Sequence, residues 1–347
     1  MGRLRYRLHP PESEINVAYT DWYTWRLVDL AGNIIEDNLQ GLSGGRVTGN
    51  VATAIRWQGT VTSETPPWWD LWRTRLQPVY HRTGREPEVV GTFHARPETW
   101  DYDGGRHTTK LALYDPTIHV QEDETWGLWT ETKGLNIAGR VRVILNTIGL
   151  RVAVTPSAET LRRDLVFEDT VTKLRVINDL LDAGGFFALH VDPFGQFQVV
   201  PYTPPQQRPV VYSFSERIDA EHTRNVSGTY AQTVPNKVIV KSRGDGDAPD
   251  LIAIAQDQQD FYTTGVWRSR TYSHVEASSQ AVLEAHAKRL LSTARDTSTT
   301  RRHKMLPRRL AINDVVSDGT GTRFVIESID RVLESGQTMP VDIREVK

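Results

Sequence analysis

Residues 171–200, VTKLRVINDLLDAGGFFALHVDPFGQFQVV, change hydrophobic rhythm halfway along. Leu174, Ile177, Leu180 and Leu181 lie on one side of a helix over about 171–182, and Gly184 with Gly185 ends it. From Phe186 to Val200 two short apolar runs flank Asp192-Pro193-Phe194-Gly195, a turn with Pro at its second position. Helix followed by hairpin predicts a small α/β unit. Just upstream, Ile137, Val141, Ile144, Leu145 and Ile148 recur at steps of three and four and Gly149 closes them, which predicts another helix. The Pro-rich residues 201–209 read as a stiff connector out of the unit.

On either side the pattern changes to short alternating runs broken by Gly, Pro and Asp, which predict strands. Before the unit these runs are 22–29, 45–57, 78–81, 89–95 and 108–114, and after it 233–241, 251–255, 309–316, 322–333 and 339–346. The first lobe holds nine of the ten tryptophans: Trp22, Trp25, Trp57, Trp68, Trp69, Trp72, Trp100, Trp126 and Trp129. Pro66 and Pro67 ahead of Trp68, Trp69, Leu71, Trp72 and Leu76 predict a short amphipathic helix. A long helix is expected over 278–295, with Val282, Leu283, His286, Leu290 and Leu291 facing inward. The expected fold class is α+β, mainly β. Its expected domains are a Trp-rich sheet domain at 1–130, an inserted α/β domain at 131–208 and a second sheet domain at 209–347. At 347 residues more than one core is expected.

Composition narrows the functional classes. Lys and Arg number 41 against 43 Asp and Glu, so no global field draws in nucleic acid or an anionic membrane. The absence of cysteine excludes disulfides, thiolate zinc sites and cysteine nucleophiles. The opening MGRLRYRLHPPES lacks an apolar core, and no stretch is long and apolar enough to span a bilayer, so neither an export signal nor a membrane anchor is expected.

Several segments together resemble the baseplate-hub or tail-tip hub proteins of tailed bacteriophages, often labelled minor tail proteins in phages of Actinobacteria. They are 69–97 (WDLWRTRLQPVYHRTGREPEVVGTFHARP), 111–117 (LALYDPT), the helix and hairpin of 172–201, and a closing block. That block is the helix at 282–291 followed by 310–316 (LAINDVV) and 324–330 (FVIESID). The resemblance implies two small β-barrel, tube-like domains flanking the α/β insertion and a homotrimer that matches a six-fold tail tube to three-fold tip components. It implies a place at the distal end of the virion tail, where the trimer frames the DNA exit channel, after assembly in the host cytoplasm. The implied partners are a distal tail or tube protein, a tape measure protein and central tip or fibre proteins, with DNA passing but not specifically bound. A chain closing at Lys347 is expected to leave adhesion and wall cleavage to other proteins.

Chemical alternatives rest on few residues. His190 and Asp192 fall on one face beside the turn and read as a hairpin turn with Asp accepting backbone hydrogen bonds. His94, His107 and His119 could converge on a metal, but no ligand spacing supports them, and neither a metal nor another cofactor is expected. Glu122, Asp123 and Glu124 form the densest acidic cluster, yet neighbouring carboxylates do not make a glycosidase pair, and no catalytic residue is expected. A carbohydrate-binding module using the aromatic lobe and a cell-wall hydrolase are the competing functions. Arg301, Arg302, Lys304, Arg308 and Arg309, with His303 among them, form the one basic concentration; they read as a solvated loop, or in a ring as groups lining the channel and facing phosphate. Arg243-Gly244-Asp245 reads as a hairpin loop.

Overall fold

The computed structural model describes residues 20–346 apart from 65, 216–219, 224–225, 231–233, 244–248, 274 and 297–298. The chain is α+β and mainly β. Its first third consists of β1 (Asp21–Asp29), β2 (Ile34–Glu36), β3 (Leu42–Asn50), β4 (Trp57–Ser63), β5 (Thr74–Arg82), β6 (Glu88–Val89), β7 (His94–Asp103) and β8 (Arg106–Tyr114). β1 runs antiparallel to β5 from Asp21 against Arg82 to Asp29 against Thr74, at the centre of a four-stranded sheet ordered β2-β1-β5-β6. Trp25 and Leu27 of β1, Leu76 and Tyr80 of β5, and Leu111 and Leu113 of β8 close around Phe93 in one core.

Three expectations here need correction, the first being the run at 89–95, which is not one strand because β6 ends at Val89 and β7 starts at His94. The run at 45–57 is a hairpin and not one strand: the Asn50 side chain accepts from the Ala52 amide at 2.8 Å, turning the chain between β3 and β4. The segment around Trp68 to Trp72 is not helical. The Asp70 carboxylate accepts from the amides of Trp72 at 2.9 Å and Arg73 at 3.2 Å, a tight turn that delivers the chain into β5. Only Trp69 of that group is buried beside the core, so no helical stripe exists to be covered.

The middle third holds α1 (Thr117–Gln121), β9 (Trp129–Glu131), α2 (Ile137–Thr147), β10 (Val152–Val154), β11 (Leu165–Phe167), α3 (Lys173–Ala183), β12 (His190–Val191) and β13 (Phe197–Val199). The Asn136 side chain caps α2 by accepting from the Gly139 amide at 2.7 Å, and Gly149 leaves it with φ +71°. Thr172 caps α3 in the same way. β12 and β13 pair antiparallel across the Asp192 turn, and β10 adds to β13 in parallel. Ile137, Val141, Leu145, Ile177, Leu180 and Leu181 of the two helices bury fully against Phe197 and Val199. Each such side chain contributes about 1.5–3 kcal/mol from burial.

The last third contains β14 (Val210–Phe214), β15 (Ser227–Tyr230), β16 (Lys237–Ser242), β17 (Leu251–Gln256), α4 (Gln258–Thr264), β18 (Ser269–Tyr272), α5 (Gln280–Asp296), β19 (Thr299–Met305), β20 (Val315–Asp318), β21 (Arg323–Val332) and β22 (Met339–Glu345). The strand expected from residue 309 starts later, at Val315, because Asn313 takes a left-handed backbone (φ +71°) in a turn where the Asp314 carboxylate accepts from the Ala311 amide. The small sheet β17-β16-β18 packs Val238 and Val240 against Leu283, Ala287 and Leu291 of α5, a core separate from that around Phe324 and Ile343.

The decisive connection joins the two ends of the chain. β21 pairs with β3, from Ser328 against Asn50 to Val332 against Arg46, inside a ten-stranded sheet that runs β15-β19-β22-β21-β3-β4-β8-β7 with β20 and β14 branching from β21. The Trp57 indole packs against both outer cores, and Leu333 belongs to the core of the first third. Where separate barrels were expected, the outer thirds share this open sheet, and no sheet closes on itself among the described residues.

Candidate functional site

Four regions remote in sequence border one cleft of about 760 Å³: Arg26 of β1, the β5–β6 hairpin, the turn at Pro193 and Phe194, and residues 307–309 after β19. Arg82 ends β5, where pairing with β1 fixes its direction, and its guanidinium reaches the Glu221 carboxylate at 2.9 Å. Arg85 from the hairpin turn binds the same carboxylate, and Arg308 approaches it at 3.5 Å. The Arg308 guanidinium also lies over the Tyr212 ring, 4.3 Å from its centroid, while the Tyr212 hydroxyl meets His222 Nδ1 at 2.9 Å. Behind them the buried Arg331 contacts Glu88 at 3.3 Å and donates to the Arg308 carbonyl at 2.5 Å. Arg26 pairs with Asp37. One glutamate therefore serves three guanidiniums at the meeting point of the first and last thirds.

The five basic residues read from the sequence do not form one patch. Arg308 and Arg309 line the cleft. Arg301, Arg302 and Lys304 belong to β19, so the expected loop is a strand here, paired with β22 on one side and β15 on the other. Within it His303 and Met305 point inward and Arg302 and Lys304 outward, an in-out alternation that the charges obscured. Arg301 pairs with Asp318 at 3.3 Å and lies over Phe324, and Arg302 pairs with Asp342 at 3.3 Å.

Histidine placement follows burial. His94 and His119 meet with ring centroids 4.7 Å apart, whereas His107 stacks on Trp100. His119 Nε2 lies 2.6 Å from an Arg75 nitrogen, so a cation occupies the place a metal would need. His94 is fully buried with neither ring nitrogen hydrogen-bonded; burial, then Arg75, pushes its pKa down to about 3. The same causes push His119 down to about 4. No group of three or more metal-ligating side chains occurs among the described residues.

In the acidic cluster the Glu122 and Asp123 carboxylates are engaged in ion pairs. Arg96 holds Glu122 through both oxygens and keeps it below the usual carboxylate range, and Lys173 pairs with Asp123 at 2.5 Å. Glu124 bridges by its backbone to Thr172. Asp192 accepts from the amides of Phe194 and Gln196 at 2.9 Å each, stabilising the hairpin turn, while His190 Nδ1 contacts the Ala188 carbonyl. Among the tryptophans Trp25 and Trp69 are buried, and Trp22, Trp68, Trp72, Trp100 and Trp126 are exposed, two of them stacked on histidines. Gly244 and Asp245 of the Arg-Gly-Asp triplet lie outside the described residues.

Sequence reasoning missed Glu221, Arg82 and Arg85. Glu221 and Arg82 are separated by 139 positions, and no local spacing announces a pairing of that range.

No protein-family model matches the chain, and no curated protein sequence matches it. Solved structures do. The 43 kDa tail protein of prophage MuSo2 from Shewanella oneidensis superposes with a TM-score of 0.64 at 14% identity, over 92% of this chain and 98% of that one. A tail protein from Neisseria meningitidis MC58 gives 0.67 at 13% identity, over 93% and 97%. Prophage tail protein gp18 from Listeria monocytogenes EGD-e gives 0.56 at 12% identity, over 92% and 94%. The fold is thus one shared, nearly end to end, with phage tail proteins.

Proposed function

We propose that this chain is a structural component of a phage virion tail, and that three copies assemble into the hub at its distal end. The observation that carries this reading is the end-to-end match: the likeness takes in all three thirds of the chain and nearly the whole of each tail protein. In the hub each chain presents two tube-like, barrel-derived lobes, within 1–130 and 209–347, around the inserted unit at 131–208. A trimer then offers six such lobes to the six-fold tube and three-fold symmetry to the tip, framing the DNA exit channel. Its neighbours are the distal tail or tube protein, the tape measure protein and the central tip or fibre proteins. Open strand edges such as β2 and β7 suit this role, because ring closure covers edges that a monomer leaves unpaired.

The role is non-enzymatic. Within the densest acidic cluster Glu122 is held by Arg96 and Asp123 by Lys173, which leaves them poorly placed to flank a sugar bond. The test is the mass of the purified chain in solution, read by sedimentation across a concentration series. A trimer, seen in electron micrographs as a ring with three-fold symmetry, is expected. A monomer at every concentration that binds cell-wall glycans would instead establish the carbohydrate-binding alternative.

A further inference from the structure

Among the described residues, the cleft between the first and last thirds gathers more guanidiniums than carboxylates. Arg26, Arg82, Arg85, Arg308 and Arg309 line it with Glu86 and Glu88; Arg26 is paired with Asp37, and Glu88 is already engaged by Arg331. The single Glu221 carboxylate is divided among three guanidiniums, and its side chain is only 12% exposed. Arg309 forms no ion pair among the described residues, and Arg308 Nε is buried without an acceptor. A buried guanidinium N–H with no acceptor is costly, and hydrogen bonds from charged donors to an anion are among the stronger ones available. Among the described residues, the carboxylates at the site are outnumbered by guanidiniums.

From this we infer that the cleft is a socket for an acidic peptide segment of a partner protein, one carboxylate entering between Arg85, Arg308 and Arg309. The choice of peptide over nucleic acid follows from the walls. Pro87, Pro193 and the half-exposed Phe194 present apolar surface beside the arginines, which suits aliphatic side chains flanking a carboxylate. Duplex DNA offers its phosphates on a convex surface that cannot enter a concave cleft, and a single strand needs successive aromatic platforms, whereas the lining supplies Phe194 and the buried Tyr80. Because elements from all three thirds border the cleft, a bound segment would also brace them against one another. The proposal does not depend on the tail assignment or on oligomeric state.

Fluorescence anisotropy with a short fluorescein-labelled peptide of alternating glutamate and leucine tests it on the intact chain. Saturable binding is expected, with no binding of the glutamine-leucine counterpart. The Arg85→Gln, Arg309→Gln double variant should weaken affinity by about tenfold or more. Glu86→Gln, which removes a competing negative charge from the lining, should tighten it. Thermal melting confirms that each variant is folded, and Arg309→Gln alone, at an exposed unpaired position, serves if the double variant is not; it should weaken binding in the same direction. The inference is overturned if the two peptides bind alike, if neither binds, or if the arginine variants keep full affinity. A single-stranded oligonucleotide of equal charge that binds more tightly and displaces the peptide would overturn it in favour of a phosphate site.

Discussion

The inserted α/β unit and the ten-stranded sheet are stabilised in different ways. The unit's core is mainly apolar, with Glu131 its buried charge, held by Arg140 at 2.8 Å: α2 and α3 lay Val141, Leu145, Ile177 and Leu180 against β13, and its helices end in side-chain caps and glycines within the same short stretch of chain. The sheet instead joins residues 46–50 to 328–332 and buries charged or titratable groups along the way, among them Arg331, Arg344, His94 and His303. Local contacts make the first region nearly self-sufficient. Long-range pairing makes the second depend on both ends of the chain, and the polar groups it buries make it sensitive to solution conditions.

Three substitutions would break or sharpen this contrast. The largest effect is expected in the unit: Ile177→Ala, at a fully buried helix position, should cost about 2–5 kcal/mol in denaturant unfolding. A loss well under 1 kcal/mol would mean that the unit's core is not the rigid element described. Next, Gly59→Ala should cost about 1–3 kcal/mol, because a Cβ there would lie 2.2 Å from the Arg46 carbonyl oxygen and push β4 off β3. If amide hydrogen exchange showed β3, β4 and β21 loosened while α2 and α3 kept their protection, the two regions would be separable; uniform loss would show a single cooperative body.

The third effect depends on pH. His303 stacks on Phe214 with both ring nitrogens unpartnered, and burial, with His222 and Arg301 adding to it, pushes its pKa down to about 4. Its unfolded value is about 6.5, so between those limits the unfolded chain binds the proton that the folded chain refuses. Stability is therefore complete above about pH 6.5 and falls as the pH drops toward 4, by up to about 3 kcal/mol from this residue. Replacing the ring by phenylalanine, His303→Phe, should leave the melting temperature near pH 8 little changed and make its decline toward pH 5 shallower. An unchanged decline would remove His303 from the account. His94 of β7 and His119 of α1, shifted the same way, should supply much of the remaining slope.

Legibility in the sequence followed the same division. The helix expected at 171–182 is observed as Lys173–Ala183, the one ending at Gly149 as Ile137–Thr147, and the long helix at 278–295 as Gln280–Asp296. In the first two, hydrophobic period and terminator lie within a few turns of chain, and in the third the period alone marks the helix. Strand runs were visible as well, but not their partners: β19 was obscured because Arg301, Arg302 and Lys304 suggested solvent, and Trp68 to Trp72 suggested a helix until Asp70 turned the backbone. Of the candidate site, Arg308 and Arg309 were flagged by their clustering. Glu221, Arg82 and Arg85 were not, since their chemistry arises only from being brought together.

By itself the sequence determined where helices and strands alternate, that no thiol chemistry operates and that an apolar α/β unit interrupts two strand-rich lobes, because these follow from residue type and spacing over a few turns. Only the tertiary structure decided that β3 pairs with β21, that the outer lobes share one open sheet, and that three arginines converge on Glu221. A strand's free N–H and C=O groups accept any partner edge, so pairing across nearly the whole chain is selected by packing and is not written in local pattern.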